Sequence, residues 1–459
     1  VSSFNLMSHS NGKLLVDHLG NVLANGRRLL GRLQMPAYLT QAIELALVLH
    51  DLGKATVFFQ RYILAIRNHD SGKISTGELA GIKKELGYRR NHARISAIWA
   101  EIIARDRFAT HSALPMPLLM FTIVLKHHGH LGNMDEMAYF LDTSPNQSEN
   151  LHAVLADMSA HLDYHEMGQI LSKLDMGYKN FNHTTFMARL DDFFEPDRQI
   201  EIEEVRSETN LTDFFNISLA FSLLLSCDKG EVIFDGLIQE KQTPQIPADT
   251  ICKYKALCNF TTDDPLNRLR QEVYDSVLKA AARAEPDKQR FYSINLPTGT
   301  GKTFTALAAA LTLCARHPRF RKIIYCLPFT SVIDQNGDVF ARILEKMELG
   351  NHGENLSLYH HLREPVYAAR DDRDEIDDYR AEYLVSAFES NLNVTTFYQL
   401  LHGIFTGRNR EIRKLSAFAN SVVILDEVQA IPARYWHLVQ AVLSHLAERL
   451  NMTFILVTA

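Results

Sequence analysis

Three stretches in the first half of the chain, Ala42 to Leu49, Leu118 to Leu125 and Phe214 to Cys227, are apolar on nearly every face. A helix that is hydrophobic all round is buried inside a domain. The pattern therefore predicts three core helices in a mainly helical region from Val1 to about Lys229. Each stretch is followed by ionisable groups: His50-Asp51, His127-His128 and Asp228. Buried charge is costly unless it is paired or bound to metal, so three such helix ends imply a shared polar centre. Pro115 and Pro117 suit the start of the middle helix.

Between Gly230 and Pro265 the periodicity fades and Pro244 and Pro247 interrupt it, which marks a boundary. Beyond it strands and helices alternate. Strands are predicted at Phe291 to Leu296, Lys322 to Leu327, Asn393 to Thr396, Val422 to Asp426 and Phe454 to Thr458. Helices are predicted at Thr303 to Ala315, Val332 to Met347 and Ala433 to Leu450. Such alternation implies a parallel sheet. The expected layout is an all-α domain over 1–235, a linker over 236–265 and an α/β domain over 266–459. The acidic run Arg370 to Tyr383 reads as a solvated helix or loop without chemistry.

Composition adds limits rather than direction. A chain of 459 residues, 46% hydrophobic and 22% charged, is ordinary globular material. The net charge of -6 means that a nucleic acid would have to be held by a local groove. Five cysteines without a CxxC pair indicate neither a disulfide framework nor a zinc knuckle, and a reducing cytoplasm is expected. The longest apolar runs, such as Ile217 to Cys227, read as too short and too interrupted for a bilayer, so no membrane partner is expected.

The polar centre has a recognisable donor set. His18, His50, Asp51, His92, His127, His128 and Asp228 offer mixed nitrogen and oxygen donors, which suit transition metals better than calcium. So many ligands leave room for two ions, with Asp51 able to bridge them. A two-ion site suits phosphodiester cleavage, and Lys54 is placed to steady a phosphate oxygen. With 20 histidines in the chain the signal lies in the ordered set, and His9 and His130 are read as bystanders.

In the second half Pro297-Thr298-Gly299-Thr300-Gly301-Lys302-Thr303 lies between a predicted strand and a predicted helix, as a phosphate-binding loop requires. Lys302 would reach the β and γ phosphates of ATP and Thr303 the Mg²⁺. The apolar strand ending in Asp426-Glu427 supplies the partner signal, with Asp426 for Mg²⁺ and Glu427 for the attacking water. Leu327 to Ser331 and Val394 to Thr396 carry small hydroxyl side chains of a kind suited to phosphate contact, and resemblance of this half to superfamily 2 helicases implies that they touch the backbone of single-stranded DNA.

The order of His18, His50-Asp51-Leu52-Gly53-Lys54 through Gln60, His92, His127-His128-Gly129 and Asp228 resembles the HD nuclease domain of the CRISPR-associated type I helicase-nucleases, over roughly residues 5–230. Asp426-Glu427-Val428-Gln429 resembles superfamily 2 helicases, including that same family. The resemblance implies His18, His50, Asp51 and Asp228 around one ion, and Asp51, His92, His127 and His128 around the other. The ions would be Mn, Fe, Co or Ni. It implies an HD domain followed by the first RecA-like domain of a P-loop motor, cutting single-stranded DNA after recruitment by an RNA-guided type I CRISPR surveillance complex. Ala93 departs from the family's acidic residue after the histidine. The final Leu456 to Ala459 resembles a helicase motif cut short, so a second RecA-like domain is expected to be missing. The chain is then expected to bind ATP weakly without unwinding DNA. The competing readings are a metal-dependent nucleotide phosphohydrolase with a regulatory ATPase domain, and a non-catalytic fragment.

Overall fold

The computed structural model describes residues 4–108, 116–132, 145–195, 197–208, 210–237, 246–258, 264–350, 355–359, 388 and 390–458. The chain forms two compact units, one drawn mainly from residues up to Gln239 and the other mainly from Glu240 onward.

The first unit is helical. The three apolar stretches are the cores of longer helices, Ala37–Leu49, Met116–Lys126 and Leu211–Ile233. Pro115 lies outside the described residues, and Pro117 sits in the first turn of its helix, where its missing N–H is harmless. Helix Leu211–Ile233 starts on an Asn210 capping box: the Asn210 side chain accepts from Thr212 and Asp213 N–H, while Asp213 accepts from Asn210 N–H. It does not stop at Cys227. Asp228 lies within it, not at its end, because Asp228 and Glu231 find polar partners inside the unit and the helix need not break to release them. By length and composition alone this helix could cross a membrane, contrary to the reading of Ile217 to Cys227 as too short. Most of it is buried and it carries three buried carboxylates, Asp213, Asp228 and Glu231, which marks it as a core helix.

The sequence from His50 to Ser96 is knitted together at one glycine. Helix Ala37–Leu49 ends with His50 N–H on Ala46 O, and the chain turns into a short 3-10 helix, Leu52–Ala55. There the backbone packs directly on the next part of the site: a Cβ at Gly53 would lie 2.4 Å from the main-chain oxygen of His92. Gly53 N–H also donates to Ser96 Oγ (2.8 Å), in the first turn of helix Ala93–Phe108. Only glycine permits that approach.

The second unit is built on a six-stranded sheet: β1 Phe291–Asn295, β2 Lys322–Leu327, β3 Leu356–Tyr359, β4 Leu392–Thr396, β5 Ser421–Asp426 and β6 Thr453–Thr458. Their order is β1-β6-β5-β2-β4-β3 and every pair is parallel. β4 and β5 are buried along their whole length, and β5 has the near-continuous apolar spelling this favours, whereas β4 buries Asn393, Thr395 and Thr396. Helices Lys302–Arg316, Thr330–Lys346 and Trp436–Arg449 connect strands as the alternation predicts. β3 has four residues and gave no periodic signal. Helix Pro265–Arg283, capped by Asp264 with proline in its first turn, precedes β1. Within the stretch read as a linker, Thr250–Leu257 is helical, and Ile246 and Ile251 join the core of this unit. Arg370 to Tyr383 lies outside the described residues.

Candidate metal centre and nucleotide site

Seven side chains predicted from the sequence converge in the first unit, brought there by helix Leu15–Leu30, the end of helix Ala37–Leu49, the approach to helix Ala93–Phe108, the end of helix Met116–Lys126, and helix Leu211–Ile233. They form two groups that could each hold an ion: His18, His50, Asp51 and Asp228, and Asp51, His92, His127 and His128. Asp51 belongs to both. Its Oδ2 lies 3.1 Å from His18 Nε2 and 3.4 Å from His50 Nε2. Its Oδ1 lies 2.9 Å from His92 Nε2 and 3.6 Å from His127 Nε2. Asp228 Oδ1 is 3.7 Å from His18 Nε2 and 3.6 Å from His50 Nε2. His128, at the exposed rim, places Nε2 3.0 Å from His92 Nε2.

The donor set fits divalent ions. His50 and His127 donate from Nδ1 to the main-chain oxygens of Leu47 (2.9 Å) and Val124 (2.5 Å), and His18 donates from Nδ1 to Glu231 Oε2 (2.7 Å). In all three rings a proton is thereby placed on Nδ1, so Nε2 is the nitrogen turned to the centre for ligation. Nε2 of His18, His50 and His127 is buried without a hydrogen-bond partner. Buried polar atoms are ordinarily satisfied, and a cation between them supplies what is lacking.

The electrostatics agree. Burial alone would push the Asp51 carboxyl up, but His50, Lys54 and His92 hold it well below the usual carboxylate range. Asp228 is likewise held low against burial, chiefly by His50. Against burial, Asp51 and Asp228 push His50 up to about 10. Burial pushes His92 down to about 4 and, with His127 and His92 beside it, His128 down to about 2.

Lys54 is 6% exposed, with Nζ 2.6 Å from Asp51 Oδ2, so as it stands it pairs with the shared carboxylate. His9, read as a bystander, packs its ring edge-on against His18, with centroids 5.0 Å apart. His130 is exposed. Ala93 begins its helix in a buried position with no acidic group there. Sequence reasoning passed over Glu231, whose one signal is its place a single helical turn after Asp228.

In the second unit residues 297–303 bridge the end of β1 and helix Lys302–Arg316. Gly299 and Gly301 have φ of +79° and +82° with open space where a Cβ would stand, so backbone conformation, not crowding, calls for glycine. Thr300 Oγ1 donates to Pro297 O (2.7 Å), and Arg270 Nε, from helix Pro265–Arg283, donates to Gly299 O (2.8 Å). Lys302 Nζ lies 2.9 Å from Glu427 Oε1. Asp426 closes β5, where burial raises its carboxyl and the buried Tyr325 hydroxyl donates to its Oδ2 (2.6 Å).

The strand-end threonines have partners within the fold. Thr395 Oγ1 is buried and donates to Tyr359 O (2.8 Å), and Thr396 Oγ1 accepts from Gln399 N–H, capping helix Phe397–Phe405. The Thr395 hydroxyl spends its one proton on the fold, whereas Thr396 only accepts and keeps its proton to donate. Phe329, just after β2, is 63% exposed.

Residues 10–179 match the family described as "Cas3, HD domain", and residues 264–456 match "Type III restriction enzyme, res subunit". A Haloferax volcanii protein described as "CRISPR-associated nuclease/helicase Cas3" is 26% identical over 452 residues, covering 90% of this chain and 44% of that protein. A Methanocaldococcus jannaschii relative is 23% identical over 389 residues, covering 78% of this chain and 48% of its own length. The chain thus spans less than half the length of these curated relatives. The crystal structure of T. fusca Cas3-ADP is similar in fold, with a TM-score of 0.51 at 18% identity, covering 100% of this chain and 51% of that one.

Proposed function

We propose that the chain, similar in both halves to CRISPR-associated nuclease/helicases, carries in its helical unit a metal-dependent nuclease cutting single-stranded DNA. The carrying observation is Asp51, whose two oxygens each face a separate set of imidazoles. Two divalent transition-metal ions, when bound, would supply an activated water and stabilise the leaving oxygen. His18, His50 and Asp228 would hold one ion, His92, His127 and His128 the other, and Asp51 both. Lys54, together with His50, keeps Asp51 ionised and would steady an oxygen of the scissile phosphate.

The second unit would bind ATP with Mg²⁺ through Lys302, Thr303 and Asp426, with Glu427 orienting the attacking water. The Lys302–Glu427 pair would have to part as the γ-phosphate enters. In the whole protein this unit would contribute to a motor that moves DNA to the nuclease, on a target delivered by an RNA-guided surveillance complex. The family matches support the nuclease over the nucleotide phosphohydrolase.

Circular single-stranded DNA tests the nuclease directly, since a circle has no ends. Metal-stripped chain supplied with Mn²⁺, Co²⁺, Ni²⁺ or Fe²⁺, without ATP, should open the circle, and a His50→Ala, Asp51→Ala double variant should not. A folded, metal-loaded chain that leaves the circle intact would overturn the reading.

A further inference from the structure

We infer that Glu231 is a positioning residue which, through His18, makes the His18–His50–Asp51–Asp228 position the tighter of the two ion positions and the first to fill. This rests on the reading of the centre as a two-ion site.

Glu231 stands one turn after Asp228 on the same helix, so both carboxylates project from one face. Its side chain is fully buried, where packing alone would favour an apolar residue. Oε1 accepts from Lys13 Nζ (2.6 Å) and Asn21 Nδ2 (3.1 Å). Oε2 accepts from His18 Nδ1 (2.7 Å). Lys13 and Asn21 thus hold the carboxylate ionised and turned toward one imidazole.

The other ligands are backed differently. His50 and His127 donate from Nδ1 to neutral main-chain carbonyls three residues earlier, which orients each ring without adding charge behind it. A carboxylate behind a histidine makes its other nitrogen a stronger donor as well as fixing the ring. Beyond the shared Asp51, the first position has Asp228 as a direct ligand and Glu231 behind His18, whereas the second has three imidazoles. Carboxylates are therefore more numerous at and behind the first, with Lys54 on Asp51 Oδ2 and Lys13 on Glu231 offsetting part of their charge.

The test is a Mn²⁺ titration of the whole metal-stripped chain, with free Mn²⁺ read from its six-line paramagnetic resonance spectrum. Wild type should show two classes of bound ion. Glu231→Ala should weaken the tighter class by about 10–100-fold and leave the weaker class unchanged. Glu231→Gln keeps an oxygen for the His18 N–H and loses only the charge, so it should weaken the same class by less. Should the alanine variant fail to fold, as judged by circular dichroism, the near-isosteric glutamine variant carries the test. Glu231 variants that bind as wild type, or that weaken both classes alike, overturn the inference while leaving the two-ion reading standing. A folded wild-type chain that takes up no Mn²⁺, or a single ion, overturns both.

Discussion

At Gly53 two consequences of adding a methyl group oppose each other, and the structure decides between them. Its backbone lies outside the left-handed region, so alanine is conformationally acceptable there. Restricting the unfolded chain would then stabilise Gly53→Ala by about 0.4–1 kcal/mol. The new Cβ, however, would lie 2.4 Å from His92 O and 2.5 Å from Ile95 Cγ2, where ordinary contact begins at 3.4 Å. Relief requires the backbone at His92 to retreat by 3.4 − 2.4 = 1.0 Å. Overpacking of this kind costs about 1–3 kcal/mol, which exceeds the entropic gain. The same retreat draws His92 away from Asp51, now 2.9 Å distant, by more than the roughly 0.5 Å that a working site tolerates. Gly53→Ala should therefore lower the unfolding free energy in urea by about 1–2 kcal/mol and weaken Mn²⁺ binding at the position held by His92, His127 and His128. Ser96→Ala is the companion: it removes the hydrogen bond from Gly53 N–H, worth about 1 kcal/mol, without displacing His92. A Gly53→Ala chain at least as stable as wild type, with both classes of bound Mn²⁺ intact, would refute this reasoning.

Metal uptake should release protons near neutral pH. In the metal-free centre His50 is raised from 6.5 to about 10, so it is charged at pH 7.5 and must lose its proton to ligate. Apparent affinity should rise as pH climbs toward 10. Calorimetry in two buffers of different ionisation enthalpy checks this, and identical heats in both would count against it. Tyr325→Phe removes the hydroxyl that bonds Asp426 and should weaken nucleotide binding in Mg²⁺ more than in EDTA. Fluorescent-nucleotide titrations showing equal losses under both conditions would make Tyr325 merely structural.

The candidate ligand residues were legible because metal binding restricts residue type, and because buried helices ending in histidine or aspartate are otherwise hard to explain. Their sorting into two groups came from family resemblance, since no one-dimensional spacing shows that Asp51 turns one oxygen each way. The supporting residues were less legible. Glu231 reads as the polar close of an apolar run until Lys13, Asn21 and His18 are seen around it, more than 200 residues away in sequence. Tyr325 is hidden in an apolar strand, where a hydroxyl leaves no mark on periodicity. β3 is too short to show alternation, and Thr250–Leu257 too short to show a helical stripe. The fold roles of Thr395 and Thr396 were not legible because a hydroxyl at a strand end serves phosphate contact and helix capping equally well in sequence.

The pairing of β1 with β6 also fixes a timetable. Phe291 on β1 lies opposite Phe454 on β6, so 454 − 291 = 163 residues must emerge before the strand that leads into the phosphate loop has its neighbour. At roughly 5–20 residues per second that is a wait of roughly 8–33 s on the ribosome. Every ligand of the metal centre precedes β1, the last being Asp228. During synthesis the candidate ligands of the first unit are thus all in place while the nucleotide site is still half a sheet.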